Sequence, residues 1–308
     1  MFQLRYKVLF SSIGLFALVV LLAPVCFAGV NAAPHLGMGS GARSLGLGGA
    51  FTAVADDATS TIWNPAGLPA VEDLTITLSS ARLSLDRRHS FIGLIKRVGN
   101  GGLGLSVVNA GVDDITSYNS KGDRTGSFNH NSNAFALSYG HDLGAVSLGA
   151  SARMYTDSFG DHSSTSGFAG ADIGLLGHNK ASTFSYGIAA RNLGSAIGDN
   201  QVPVKIAGGL AYRVLDKNVA TFSVDVEHEV IDLPESPTSL HIGTEYLIAN
   251  TFAIRGGTKL NTDRTQLFAG FGVNVGGLQL DYALKAADSA VNNLDDDSTH
   301  FFSISYSY

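Results

Sequence analysis

From residue 71 onward the chain is one segment after another of alternating apolar and small or polar residues. No stretch there keeps the 3.6-residue period of a helix. Successive side chains of a strand point to opposite faces, so alternation sorts residues onto two sides of a sheet. Residues 300–308 (HFFSISYSY) show it most cleanly: Phe302, Ile304, Tyr306 and Tyr308 share one face, Ser303, Ser305 and Ser307 the other. The closing strand of an outer-membrane barrel needs that arrangement, apolar toward lipid and small-polar inside, ending on an interfacial aromatic. The four apolar residues are therefore the candidate signal for insertion by the barrel-assembly machinery. The same reading predicts strands over 72–85, 89–98, 102–113, 131–142, 145–156, 166–177, 182–193, 203–214, 219–230, 239–248, 251–260, 266–276, 278–287 and 299–308. Fourteen is an even number, which leaves both ends of a barrel on the same side of the membrane. The expected fold is all-β, a transmembrane antiparallel β-barrel of about 14 strands.

Connection lengths alternate too. One set is tight, at 99–101, 141–144, 177–180, 215–218, 248–250 and 276–277. The other is mostly longer and polar, at 114–130, 157–165, 194–202, 231–238 and 288–298, with 85–88 and 261–264 as short exceptions. Short periplasmic turns and long outer loops are the membrane-barrel arrangement, whereas a soluble barrel has no reason to segregate loop length.

Charge separates the two faces. Leu278, Leu280, Tyr282 and Leu284 oppose Gln279, Asp281, Ala283 and Lys285, and Phe222, Val224 and Val226 oppose Thr221, Ser223, Asp225 and Glu227. A Lys or Arg facing lipid near the midplane costs roughly 2–4 kcal/mol, so charged positions are assigned to the lumen. By parity the lumen receives Arg153, Arg191, Lys205, Arg213, Arg255, Lys259 and Lys285 against Asp172, Asp225, Glu227, Glu245 and Asp281. Mixed signs predict internal pairing that stiffens the barrel; a polar translocation path is the other reading.

Residues 1–28 read as a cleavable export signal. Arg5 and Lys7 precede an apolar core from Val8 to Leu22, and a small-residue step at Cys26-Phe27-Ala28 places cleavage after Ala28. The apolar run is short of the ~20 residues that a helical span needs, and the bulky Val25 argues against a lipoprotein Cys26. The chain's single cysteine lies in this segment, so the remainder has no disulfide framework, thiolate metal site or thiol nucleophile. Low charge (15%) beside 17 Phe and 10 Tyr suits a surface in contact with outer-membrane lipid. A net charge of -6 argues against a nucleic-acid partner. The chain thus divides into a signal (1–28), an amino-terminal segment (29–70) and a barrel (71–308), located in the outer membrane of a Gram-negative-type bacterium.

The segment 29–70 does not alternate. It is rich in Gly and Ala, yet holds Leu45, Leu47, Phe51, Val54, Ile62 and the only tryptophan, Trp63, beside Asn64, Pro65, Ala66 and Gly67. That apolar content predicts packing, as a plug in the lumen rather than a flexible leader, with Gly allowing close approach to the wall. Residues 63–67 are its plug motif, since Asn before Pro favours a turn.

Residues 41–68 (GARSLGLGGAFTAVADDATSTIWNPAGL) closely resemble the leading segment of PorV/PorQ-type outer-membrane proteins, relatives of the FadL long-chain fatty-acid transporters. The likeness continues at 209–214 (GLAYRV), 253–257 (AIRGG), 270–273 (GFGV) and 280–284 (LDYAL). The resemblance implies a fourteen-stranded barrel whose amino-terminal plug carries the Asn64-Pro65-Ala66 tripeptide. It also implies one of two roles, hydrophobic-substrate uptake in the FadL branch or protein secretion to the cell surface in the PorV branch. The chain departs from fatty-acid transporters in two respects: its outer loops are too short for large ligand-capturing arms, and its lumen carries about a dozen charges.

Chemistry for catalysis is absent from the sequence pattern. The nine His residues form no His-x-x-x-His or His-Glu-x-x-His pattern, and 46–49 (GLGG) lacks a following Gly-Lys-Ser/Thr. Asp113-Asp114 and Asp295-Asp296-Asp297 read as solvated loop acids. Ser163 beside His162 is the nearest nucleophile–base pair and nothing fixes a third group. The chain is expected to be no enzyme and to need no cofactor or metal. Three roles remain open: a transporter of hydrophobic or amphipathic small-molecule cargo, which leads, a component binding secretion-machine proteins, and a structural barrel. Gly170, Gly187 and Gly257 would either open the wall laterally or pack against the plug. Leu233, Pro234 and Pro237 would form an apolar patch for a protein partner.

Overall fold

The first and last long strands meet. β1 (Leu74–Arg82) and β16 (Thr299–Ser307) pair antiparallel and close the sheet, in a computed structural model that describes residues 33–83, 86–177, 183–197, 200–215, 219–230, 237–262, 264–286 and 298–308. Between them run β2 (Arg87–Val98), β3 (Gly101–Tyr118), β4 (Arg124–Asp142), β5 (Ser147–Phe159), β6 (His162–Gly177) and β7 (Phe184–Leu193). A hairpin of β8 (Ala196–Ile197) and β9 (Asn200–Gln201) follows. The wall resumes with β10 (Val204–Leu215), β11 (Val219–Val230), β12 (Thr238–Ile248), β13 (Phe252–Asn261), β14 (Thr265–Val275) and β15 (Leu278–Lys285). All but β8 and β9 form one closed antiparallel barrel of 14 strands. The all-β expectation and the strand count hold.

The seam shows why the barrel closes. Thr75 and Thr77 pair with Ser307 and Ser305, and their hydroxyls hydrogen-bond at 2.9 and 2.8 Å. On the opposite face Ile76 lies beside Tyr306 and Leu78 beside Ile304, all exposed. That apolar face continues through register neighbours Leu94, Leu105 and Leu137 in one direction and Leu280 and Leu278 in the other. Further round, Ile254 stands beside Phe271 and Tyr246, and Val224 beside Leu210 and Ile242. A monomer in water rarely exposes a contiguous apolar patch beyond a few hundred Å². A belt around the entire wall needs an apolar solvent. Phe302, Tyr306 and Tyr308 lie exposed on this face as well.

One end of the barrel is turned tightly. Gly276 and Gly277 (φ 59° and 85°) join β14 to β15, and Ala249 and Asn250 (φ 51° and 54°) join β12 to β13. Two positive φ values in succession are the geometry that matches strand twist in a two-residue hairpin.

At the other end two predicted loops are strand. Residues 114–118 and 124–130, expected within a loop, extend β3 and β4 past the apolar belt to a turn at 119–123. There the Asn119 Oδ1 accepts from Lys121 N and Asp123 N, each at 2.9 Å, and Gly122 takes φ 85°. The ladder slips at Val112/Ile115, where Asp114 has φ 54° and its N–H donates to Asn129 Oδ1 at 3.0 Å. Likewise β5 and β6 run to within two residues of each other, through most of the expected loop 157–165. These extensions are mostly polar, with Ile115, Tyr118, Phe128 and Phe159 as scattered exceptions, so the regular apolar alternation that marks a membrane strand fades although backbone pairing persists.

Residues 33–72 precede β1 and hold four short turns of helix: Pro34–Met38, Ala42–Gly46, Ser60–Trp63 and Pro65–Ala70. Leu45, Leu47, Phe51, Val54 and Trp63 of this segment cluster with Phe91, Val108, Ala134, Tyr155 and Phe301 from the wall. The expected signal 1–28, Leu233, Pro234 and Asp295–Asp297 lie outside the described residues; Pro237 is exposed.

Candidate functional site

The tryptophan motif sits where the segment folds back on itself. The Trp63 Nε1–H donates to Ser40 O at 3.0 Å, Phe51 meets its ring edge-on at 6.3 Å, and the Arg191 guanidinium lies 5.6 Å from it. Asn64, fully buried, uses both ends of its amide. Its Nδ2 donates to Thr52 O (2.9 Å) and to Leu175 O of β6 (3.2 Å), while Oδ1 accepts from Ala66 N (3.1 Å). One side chain therefore ties the turn to the rest of the segment and to the wall.

Beneath this turn the wall has no side chains. Gly102, Gly140, Gly149 and Gly174 are direct register partners across β3, β4, β5 and β6, forming a row of four glycines. A Cβ at Gly149 would stand 2.2 Å from Pro65 C, and one at Gly174 would stand 2.0 Å from Asn64 Oδ1. Gly187 and Gly257, which the sequence left between wall opening and packing, are packing positions: a Cβ would stand 2.2 Å from Thr52 O and from Gly48 N respectively. Gly170 faces Ser195 Oγ in the same way, at 2.0 Å.

Nine of the twelve charged residues assigned by parity are gathered in two networks and one isolated pair. Arg153 and Asp172 are buried and bond at 2.5 Å, and Asp172 also accepts from Asn192 N at 2.8 Å. Glu227 binds Arg191 and Lys205, the latter at 3.1 Å, and Lys205 reaches Glu229 at 3.1 Å. Arg191 also donates to Ile62 O at 3.4 Å, and Asp225 accepts from Thr52 N at 2.7 Å. The third group spans segment and wall. Arg43 contacts Asp56 (2.5 Å), Asp57 (3.3 Å) and Glu245 (3.1 Å). Glu245 bonds Arg255 (2.6 Å), Arg255 bonds Asp281 (2.6 Å), and Arg213 reaches Asp56 (3.5 Å). Lys259 and Lys285 line a cavity described below.

Arg43, Asp56 and Asp57 escaped the sequence reading. Burial alone would lower the Arg43 pKa, but Asp56, Glu245 and Asp57 raise it well above its ordinary value. Burial opposes ionisation of Asp56, yet Arg43 and Arg213 hold it below the usual carboxylate range. Burial pushes Asp57 up, with Asp56 adding to it against the pull of Arg43. The signal was available: three charges inside an otherwise apolar segment must meet compensating charges elsewhere.

Three larger cavities surround the segment. One of about 590 Å³ opens among the tight turns, lined by Arg43, Asp56, Glu245, Arg255 and the Thr/Ser seam. On the long-connection side, a cavity of about 490 Å³ is lined by Pro34, Met38, Leu83, Val112 and Ile197, with His35, His89 and His130. A third, of about 250 Å³, places Leu36, Met38, Phe268 and Phe301 beside Arg191, Lys205, Lys259 and Lys285. Residues 36–39, Leu45, Gly48, Gly49 and Trp63 line the last, while residues 41–43 line the first, so the segment lies between the two ends.

The wall is thinnest between β6 and β7. β6 spans 162–177 but pairs with β7 only over 171–177, with a register shift between Ala171 and Ile173. Ser195 covers the gap beside β8, accepting from the Tyr155 hydroxyl at 3.0 Å. His162 and Ser163 open β6 as successive exposed residues, so their side chains diverge. Among the described residues no group of three or more His, Cys, Asp or Glu is arranged to hold a metal ion.

A family model described as an uncharacterised protein family, UPF0164, matches residues 27–304. The chain belongs to UPF0164. A search of curated proteins finds no match. Among solved structures this UPF0164 barrel is similar to the P. putida toluene transporter TodX, at a TM-score of 0.62 and 12% identity over 88% of this chain and 99% of that one. It is similar to the CymD monoaromatic hydrocarbon channel, at 0.64 and 13% over 88% and 98%. It is also similar to a Pseudomonas aeruginosa FadL homologue, at 0.58 and 10% over 86% and 97%. At these identities the likeness establishes a FadL-like barrel fold.

Proposed function

We propose that this UPF0164 chain resides in the outer membrane, that residues 33–72 are the plug of its barrel, and that it moves a hydrophobic or amphipathic small molecule across that membrane. The carrying observation is the contrast between the two ends: a cavity of about 490 Å³ on the long-connection side with more apolar than polar lining, and one of about 590 Å³ among the tight turns with the two in balance, with residues 33–72 between them. The belt of exposed apolar side chains supports the membrane setting. The neighbours TodX and CymD, a toluene transporter and a monoaromatic hydrocarbon channel, support the cargo class by analogy of fold. In this reading the charged residues of the lumen hold the plug, and the plug shifts to let cargo pass. Protein secretion, the role of the PorV branch, draws no support from the described residues; Leu233 and Pro234 of the patch that would carry it lie outside them.

A reversible tether tests the reading. Ala42 N donates to Ser303 Oγ at 2.8 Å, and residues 29–308 contain no other cysteine to interfere with a pair introduced at these two positions. Cells making the barrel should take up the fluorescent apolar probe N-phenyl-1-naphthylamine faster than cells without it. The oxidised Ala42→Cys/Ser303→Cys variant should fall to the background rate and recover on reduction. Uptake at background for the untethered barrel would overturn the transport reading.

A further inference from the structure

Three polar atoms around the 490 Å³ cavity are buried without a hydrogen-bond partner among the described residues: His35 Nε2, His89 Nε2 and Ser132 Oγ. His89 and Ser132 are 3% and 2% exposed. Three orphans on one cavity stand out, because a buried polar group left unpaired costs about 1–3 kcal/mol. Of the two ring nitrogens of His89, Nε2 is the one buried without a partner. The charged residues nearby have other work. Asp157 pairs with His130 at 3.1 Å, Arg88 pairs with Asp113, and Arg87, which also lines the cavity, is engaged by a partner of its own. Burial holds the His35 pKa down at about 4, against the raising pull of Asp157, so its ring is neutral at physiological pH.

A ligand suited to this cavity is apolar over most of its surface, carries no charge, and presents one group that both donates and accepts. A hydroxyl meets all three conditions. A carboxylate would face Asp157 with no spare cation, and a hydrocarbon would leave all three atoms unpaired. We infer that the cavity bounded by His35, His89 and Ser132 binds neutral hydroxylated amphiphiles, of the alcohol or phenol class, in preference to hydrocarbons and to carboxylate anions. This deepens the transport reading above and rests on it for its role, though binding can be measured without transport.

The test uses 1-naphthol, naphthalene and 1-naphthoate, which share a ring system, titrated by naphthyl fluorescence against the full barrel in nanodiscs with empty nanodiscs subtracted. We expect 1-naphthol to bind about tenfold more tightly than either analogue. Ser132→Ala should reduce that advantage by about threefold, and Ser132→Ala with His89→Leu should abolish it, while naphthalene affinity stays unchanged. Equal affinities for 1-naphthol and naphthalene in the parent barrel would overturn the inference and leave transport standing. No saturable binding of any of the three, together with background uptake in cells, would overturn both.

Discussion

Replacing Gly149 by alanine is expected to unseat the amino-terminal segment and open the barrel to ions. Gly149 is central in the row of four glycines, and its new methyl would stand 2.2 Å from the Pro65 carbonyl carbon and 2.3 Å from Ala66 N. Backbone in a turn tied by Asn64 to both Thr52 and β6 has little room to yield. Overpacking of this kind costs roughly 1–3 kcal/mol. At the upper end that shifts a seated-to-unseated equilibrium on the order of a hundredfold. The control is Gly256→Ala, whose methyl would meet only Thr244 Cγ2 at 3.8 Å. Planar-bilayer recordings should show large openings for Gly149→Ala and a closed baseline for Gly256→Ala and the parent. Identical baselines for all three would remove the plug assignment.

A second large effect is expected at Arg153. Its partner Asp172 is fully buried, and the two form the most enclosed ion pair among the described residues, at 2.5 Å. Arg153→Met leaves the carboxylate only Asn192 N for support. Breaking a buried pair by removing one partner costs about 3–5 kcal/mol, whereas replacing both by apolar residues of similar size is often neutral. Arg153→Met should therefore unfold at distinctly lower guanidinium concentration than the parent, read by Trp63 fluorescence in detergent. Arg153→Met/Asp172→Leu should recover most of the difference. A double variant as unstable as Arg153→Met would show that the unpaired Asp172 carboxylate is not the source of the loss.

The sequence made the wall legible because alternation reports which face a residue occupies, and the energy of exposing charge to lipid makes that report unambiguous within the membrane. The small-polar face of β16, Ser303, Ser305 and Ser307, was readable from that strand alone, whereas its partners Thr75 and Thr77 appear only in the register. Beyond the belt the same logic loses its grip, and residues 114–130, polar but for Ile115, Tyr118 and Phe128, were read as loop where β3 and β4 continue. Partners distant in sequence were hidden for another reason. Parity assigns Glu245 to a face but does not say that Arg43, 202 residues earlier, reaches it. The glycine row is likewise a property of register, since four glycines spread over 102–174 become neighbours only when β3 to β6 align. The His35, His89 and Ser132 cavity draws on segment and wall together, so its members looked scattered along the chain.

The most direct measurement of the central claim is native mass spectrometry of the barrel extracted gently from its own outer membrane. The account predicts one small apolar or amphipathic molecule per barrel, reproducibly present and lost in Gly149→Ala. A stoichiometric co-purifying protein with no small molecule bound would contradict it and point to the secretion branch instead.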